Sequence, residues 1–281
     1  MAGRSRAGLF VLPPLLVLGA LFFYPLGLIA RQSAHTDAGV ISLDTYSTVL
    51  GGGLFQHALI NTVEIALAAT AGCLVLGFTM ALLLSFVDIP GGRLLARLID
   101  TFIALPTFLV ALAFTFIYGS AGLLNGALMA TTGATLPPVD FLYSSWGVVL
   151  AEITVYTPFV MRPLLASFSL IDIAQIEVAS SLGGRTWQII REIIFPAALP
   201  ALLAGGSLCL LMTVNEFGVV FFIGAKDVTT LPLLIYDKAI QEFDYTAACV
   251  IAVVNVALSL GLYAIYRGLV GRMGGRNAGV V

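Results

Sequence analysis

"EVASSLGGRTWQIIREIIFP", residues 177–196, sets two arginines, three acidic or amide side chains and a Gly-Gly pair into a chain that is otherwise close to continuous hydrocarbon. Of the 281 residues, 59% are hydrophobic and only 10% charged, with a mean hydropathy of +1.04, where a soluble domain is roughly 45–50% apolar. Such values specify an integral membrane protein, with the lipid bilayer as its first partner. A formal net charge of -2 supplies neither a basic face nor an acidic tail, which excludes nucleic acid as a partner. Cys73, Cys209 and Cys249 lie inside apolar runs without C-x-x-C spacing; they read as small packed side chains rather than redox centres or metal ligands.

A bilayer core about 30 Å thick takes about 20 helical residues, and six stretches meet that length: 9–30, 62–87, 101–118, 146–168, 197–223 and 245–266. Arg4 and Arg6 precede the first apolar run as they would in a signal peptide, but the run is too long and lacks a small-residue cleavage site, so it reads as a retained first span. Lys and Arg collect in cytoplasmic loops. With the N-terminus inside, Arg4, Arg6, Arg93, Arg97, Arg162, Arg185, Arg191, Arg267, Arg272 and Arg276 fall on the cytoplasmic side. Only Arg31, Lys226 and Lys238 fall outside. Moving the frame by one span would scatter those ten, so the bias predicts six spans with both termini cytoplasmic. Residues 177–196 then face the cytoplasm.

Ser169 and Asp172 offer caps to a short helix running to Leu182, Gly183-Gly184 breaks it, and Thr186 caps a second helix that runs into Pro196 at the next span. Ile176, Ala179, Ser180 and Gly183 share one face of the first helix and make a narrow surface of mostly small residues that another protein can approach closely. A helix resting on lipid headgroups is the competing reading.

Glu177, Ala179, Gly183, Ile193 and Pro196, with three residues between Ala179 and Gly183 and nine between Gly183 and Ile193, resemble the EAA loop of bacterial ABC importer permeases, E-A-A-x3-G-x9-I-x-L-P. Val178 and Phe195 depart from it, standing where Ala and Leu are usual; both keep an apolar side chain. The stretches "DTFIALPTFLVALAFTFIYGSAGLLNGALM", "PPVDFLYSSWGVVLAEITVYTPFVMRPL" and "NEFGVVFFIGAKDVTTLPLLIYDKAI" are similar to the permease subunits of 2-aminoethylphosphonate importers.

The resemblance implies an all-α, polytopic inner-membrane protein with six transmembrane helices and the ABC type I (MetI-like) transmembrane domain. Residues 1–56 would form the N-terminus, first span and outer loop, residues 57–266 the transmembrane domain with a coupling loop at 172–196, and residues 267–281 a cytoplasmic tail. It further implies a bacterial inner-membrane location, a coupling helix that docks on ATPase subunits, a second permease subunit and a periplasmic solute-binding protein. Permeases for polyamines, sulfate, phosphate and iron share the scaffold, so the solute rests on resemblance alone.

No G-x-x-x-x-G-K-[ST] run occurs, so the energy source is expected on another polypeptide, and this chain is expected to be a transport subunit without a catalytic site, cofactor or metal. His35 and His57 are the only histidines and are not in H-E-x-x-H spacing, and no G-x-S-x-G is present. An ATP-independent secondary transporter is the alternative of a different class. It would have no use for the loop, and the two halves of the chain show no repeat.

Within the spans, Glu152, Glu216 beside Asn215, and Glu64 fall on the outward half in this topology, where a carboxylate is costly unless it faces protein or water. Glu152, Asn215 and Glu216 are therefore candidates for the translocation path: a carboxylate could meet an ammonium and Asn215 a phosphonate oxygen. Packing against neighbouring helices is the competing role. Ala68, Ala69, Ala71 and Gly72, with Ala204, Gly205, Gly206 and Ser207, predict close helix approach. An outer segment, 123–129, predicts a short helix that serves as a gate or a docking site for the binding protein, or simply rests at the interface.

Overall fold

The computed structural model describes residues 12–35, 41–224 and 228–274. The first residues of the earliest predicted span, together with Arg4, Arg6, Lys226, Arg276 and the end of the tail, lie outside the described residues. Apart from an isolated bridge between His35 and Ile41, the regular structure described is all helical. Among the described residues, six segments are long and apolar enough to cross a membrane: Leu12–Ser33, Gly53–Phe86, Thr107–Thr132, Ser145–Phe168, Thr186–Val214 and Tyr245–Gly268.

In chain order the helices are α1 (Leu12–Ser33), α2 (Asp44–Gly51), α3 (Gly53–Phe86), α4 (Gly92–Ala104), α5 (Thr107–Tyr118), α6 (Leu123–Thr132), α7 (Ser145–Phe168) and α8 (Ile173–Ser181). They continue as α9 (Thr186–Val214), α10 (Gly218–Ile223), α11 (Leu231–Tyr236, extended by a π turn at Asp237–Gln241) and α12 (Tyr245–Gly274).

Three predicted spans are redrawn. The second begins at Gly53, nine residues before the expected 62, because Gln56, His57 and Asn61 continue the helix despite their polarity; tertiary context overrides a weak local preference. The third does not run through 101–118. Pro106 has no N–H and biases Leu105 away from helical backbone, so α4 ends at Ala104 and α5 starts at Thr107. The fifth stops at Val214, and the residues to 223 form the separate helix α10 after a break at Asn215–Phe217. At its other end it reaches back to Thr186, because a π turn at Ile190–Ile194 joins the loop's second helix to the span.

The chain divides into two compact units. One comprises residues 1–58 and 231–258. Here α1 exposes its apolar side chains, Leu21 at 75% and Phe23 at 67%, the condition of a helix whose cover is lipid rather than protein. Gln32 Nε2 donates to Thr246 Oγ1 at 3.3 Å, and the hydroxyls of Ser33 and Tyr46 meet at 2.8 Å.

The other unit, residues 59–230 and 259–281, is centred on α7. Val148, Val155, Val160, Met161 and Leu164 of α7 are buried, as are Ala198, Cys209 and Leu210 of α9, and these two helices pair extensively. Their approach is close: a Cβ on Gly205 would stand 2.9 Å from the Val160 Cα. Within lipid, where the hydrophobic drive between helices is weak, such small-residue contacts allow dispersion to hold the pair. At one end of the pair Phe78 of α3 meets Phe168 of α7 and Phe195 of α9 edge-on, at 6.0 and 5.8 Å. At the far end of α9 the hydroxyls of Thr70 and Thr213 lie 3.4 Å apart. The outer helix expected at 123–129 is present as α6, Leu123–Thr132.

Candidate functional site

Two regions of this second unit carry more chemistry than packing requires. The first is the loop 172–196. Asp172 caps α8 by accepting from the Ala174 N–H at 3.0 Å, which satisfies one of the donors left over at a helix start. Ser169, also expected as a cap, instead donates its hydroxyl to the Ala166 carbonyl at 2.8 Å and so belongs to the end of α7. Gly183 has φ +85°, the left-handed conformation that ends a helix and that a Cβ resists, and the Gly184 N–H returns to the Ala179 carbonyl at 2.9 Å. The next helix is opened not by Thr186 but by Arg185, whose N–H donates to Gln188 Oε1 at 2.8 Å.

The backbone of the loop is therefore well satisfied, while its apolar side chains are not. Leu170 is 86% exposed, Leu182 84%, and Ile173, Val178 and Trp187 are also bare. Ala174, Gln175, Val178, Ala179 and Leu182 line an open groove of about 420 Å³. Of the face expected from spacing, Ala179 alone lines it; Glu177 and Gly183 are exposed beside it, Ile193 is half-buried and Pro196 is exposed.

The second region is a cluster of acids at the other end of α9. Glu216 sits in the break after Val214, not within the span. Its Oε1 accepts from the Val219 N–H at 2.8 Å and from the Thr107 hydroxyl at 3.1 Å, and its Oε2 accepts from the Tyr156 hydroxyl. One carboxylate thus ties α5, α7 and the start of α10 together. Phe108 of α5 and Phe222 of α10 stack at 5.2 Å alongside. Close approach is built in, since a Cβ on Gly218 would meet Thr107 Oγ1 at 2.9 Å and Glu216 Oε1 at 3.3 Å.

Glu152 lies one helical turn before Tyr156 on α7 and is fully enclosed, with 0% exposure. Both of its carboxyl oxygens are buried without a hydrogen-bond partner. Glu216, Cys73, Tyr156 and Cys209 are close enough to interact with it electrostatically; none of these is a base. Cys73 and Cys209 are buried, free and in side-chain contact with each other. Among the described residues, no three His, Cys, Asp or Glu side chains are grouped to hold a metal ion.

Glu152 and Glu216 are thus brought together, whereas Asn215 is not part of the cluster. Asn215 is exposed, donating its side-chain N–H to the Leu211 carbonyl at 2.8 Å and to Ser259 Oγ at 3.2 Å. Glu64 is exposed on α3. Thr107 and Tyr156 escaped sequence reasoning. The 152/156 spacing puts the tyrosine on the Glu152 face of α7 and could have pointed to it; nothing local marks Thr107.

Residues 73–275 match the family model "Binding-protein-dependent transport system inner membrane component". The chain is 60% identical over 272 residues, 97% of its length and 94% of the relative's, to a protein of Salmonella paratyphi A provisionally named 2-aminoethylphosphonate transport system permease protein PhnU. The protein of the same name from Salmonella typhimurium is 59% identical, with 97% and 95% covered. Among solved structures, a bacterial ABC transporter involved in the import of the acidic polysaccharide alginate superposes with a TM-score of 0.82 over 96% of both chains at 19% identity, a likeness of fold.

Proposed function

The chain belongs to the family of binding-protein-dependent transport system inner membrane components, and from that premise we propose that it forms the translocation path for 2-aminoethylphosphonate, delivered by a solute-binding protein and driven by separate ATPase subunits. The observation that carries the solute is the 60% identity to the Salmonella protein across 97% of the chain, which spans both the loop and the acid cluster. The arginine bias argues that both termini and the loop 172–196 are cytoplasmic.

In this reading α8 is the coupling helix. Its bare apolar side chains and open groove suit a cleft on an ATPase better than headgroups, since the face carries no Lys or Arg to attract anionic lipid. ATP-driven approach of two ATPases moves the coupling helices and rocks this subunit against a second permease subunit, alternately opening the path inward and outward. In the same reading Glu177, Ala179, Gly183, Ile193 and Pro196 belong to the coupling segment, and Glu152, Asn215 and Glu216 are the candidates for the translocation path.

The test is uptake of radiolabelled 2-aminoethylphosphonate by the parental host and by a strain deleted for this chain, with sulfate, phosphate and spermidine as competing solutes. Loss of aminoethylphosphonate uptake alone, restored by the gene, is expected. Loss of sulfate, phosphate or spermidine uptake instead would reassign the solute. A reporter fused within 172–190 should report cytoplasm; an outside signal would end the coupling reading.

A further inference from the structure

Glu216 and Glu152 look alike in sequence and are opposite in structure. The carboxylate of Glu216 accepts from Val219 N–H, Thr107 and Tyr156, filling three of the about four lone-pair sites of its two oxygens. Glu152, no more exposed, has both oxygens free. Buried polar groups are nearly always paired, and an unpaired one calls for an explanation such as a missing ligand. Its ionisable neighbours Glu216, Cys73, Tyr156 and Cys209 include no cation, and the nearby hydroxyl of Tyr156 is committed to Glu216. The acceptors of Glu152 are left for something that brings its own donors and positive charge.

We infer that Glu152 is the ammonium-binding group of the translocation path, taking the primary amine of the solute while Glu216 serves as a fixed clamp between helices. This rests on the proposed aminoethylphosphonate function. A primary ammonium is compact and carries three donors, enough to engage both Glu152 oxygens, and Glu216 adds negative potential behind them. Full enclosure means that the site is closed in this conformation; it is presented to the solute when the helices around α7 part during the transport cycle. The assignment also separates two residues that sequence spacing treats alike, because Glu216 already holds donors from α5, α7 and α10 whereas Glu152 holds none.

Two measurements test it. In uptake assays at equal membrane abundance, Glu152→Gln should slow 2-aminoethylphosphonate transport about tenfold, the effect of losing one charge-assisted hydrogen bond. Parental transport with an unimpaired variant overturns the inference and leaves the function standing; absence of parental transport overturns both. Should the variant fail to accumulate, labelling of the parental complex decides. Dicyclohexylcarbodiimide modification of Glu152, read by mass spectrometry, should be slowed about threefold by 2-aminoethylphosphonate at twice its dissociation constant and not by ethylphosphonate, which lacks the amine. Equal protection by ethylphosphonate or by sodium chloride, or no protection by the amine, overturns it.

Discussion

The loop 172–196 and the acid cluster around Glu216 stand at opposite ends of α9, and they are unfinished in opposite ways. In the loop the turns are closed by hydrogen bonds that Asp172 accepts and that the Gly184 and Arg185 N–H groups donate, while Leu170, Leu182 and Trp187 have no cover. In the cluster Glu152, Tyr156 and Glu216 are all buried and one carboxylate, Glu152, lacks partners. A region short of apolar cover calls for a large partner, because burial scales with area. A region short of one cation calls for a small one. The contrast therefore assigns a protein to the loop and a solute to the cluster.

The change expected to break the comparison most severely is Gly183→Asp. It places a Cβ and a charge on a backbone at φ +85°, a conformation costing a non-glycine residue about 1–2 kcal/mol, on the face beside the groove. Membrane abundance should stay near parental, while the ATPase recovered with the chain and solute uptake both fall about tenfold or more. Parental uptake would mean that the loop only connects two spans.

Next in size is Glu216→Leu, which leaves Tyr156, Thr107 and the Val219 N–H without their shared acceptor. A loss of about 2 kcal/mol is expected, read as a lower unfolding midpoint of the detergent-purified protein. An unchanged midpoint would return Glu216 to the list of path residues. Tyr156→Phe removes one of those three bonds and should cost about 1 kcal/mol; a larger loss would show the hydroxyl also supports Glu152.

The smallest effect belongs to Asn215→Ala. Its amide donates within its own helix and to Ser259 from an exposed position, so stability should change by no more than about 0.5 kcal/mol, with uptake near parental. A drop in uptake comparable to that of Glu152→Gln would extend the solute contact beyond the buried cluster.

Much of this was legible in the residues. Long apolar runs separated by polar punctuation gave the six spans, because length and hydropathy are properties of a segment by itself. The break at Gly183 followed from Gly-Gly between two helical stretches for the same reason. What failed was whatever depends on a distant partner. "TVNEFG" at 213–218 reads as a polar interruption in one long helix; the break exists because Glu216 finds Thr107 and Tyr156, residues 109 and 60 positions away. The groove on α8 likewise runs along Val178 and Leu182 rather than along Ile176 and Ser180, a face that small-residue spacing does not pick out. Pro106 is a local signal of a different kind, ending α4 at Ala104 and separating it from α5.

The π turn at Ile190–Ile194 makes Thr186–Val214 a single rod of 29 residues, about 43 Å from end to end at 1.5 Å per residue. Within it, Pro200 and the π turn are the places where such a helix can bend. An angular displacement of 5° imposed near the loop corresponds to an excursion of about 4 Å at the far end by the same length, comparable with the width of a side chain. The π turn adds a second degree of freedom: resolving its extra residue into regular helix would turn the downstream face by about 100°, the angle per residue of an α-helix. In engineering terms α9 is a crank whose handle is the exposed loop and whose throw is at Glu216.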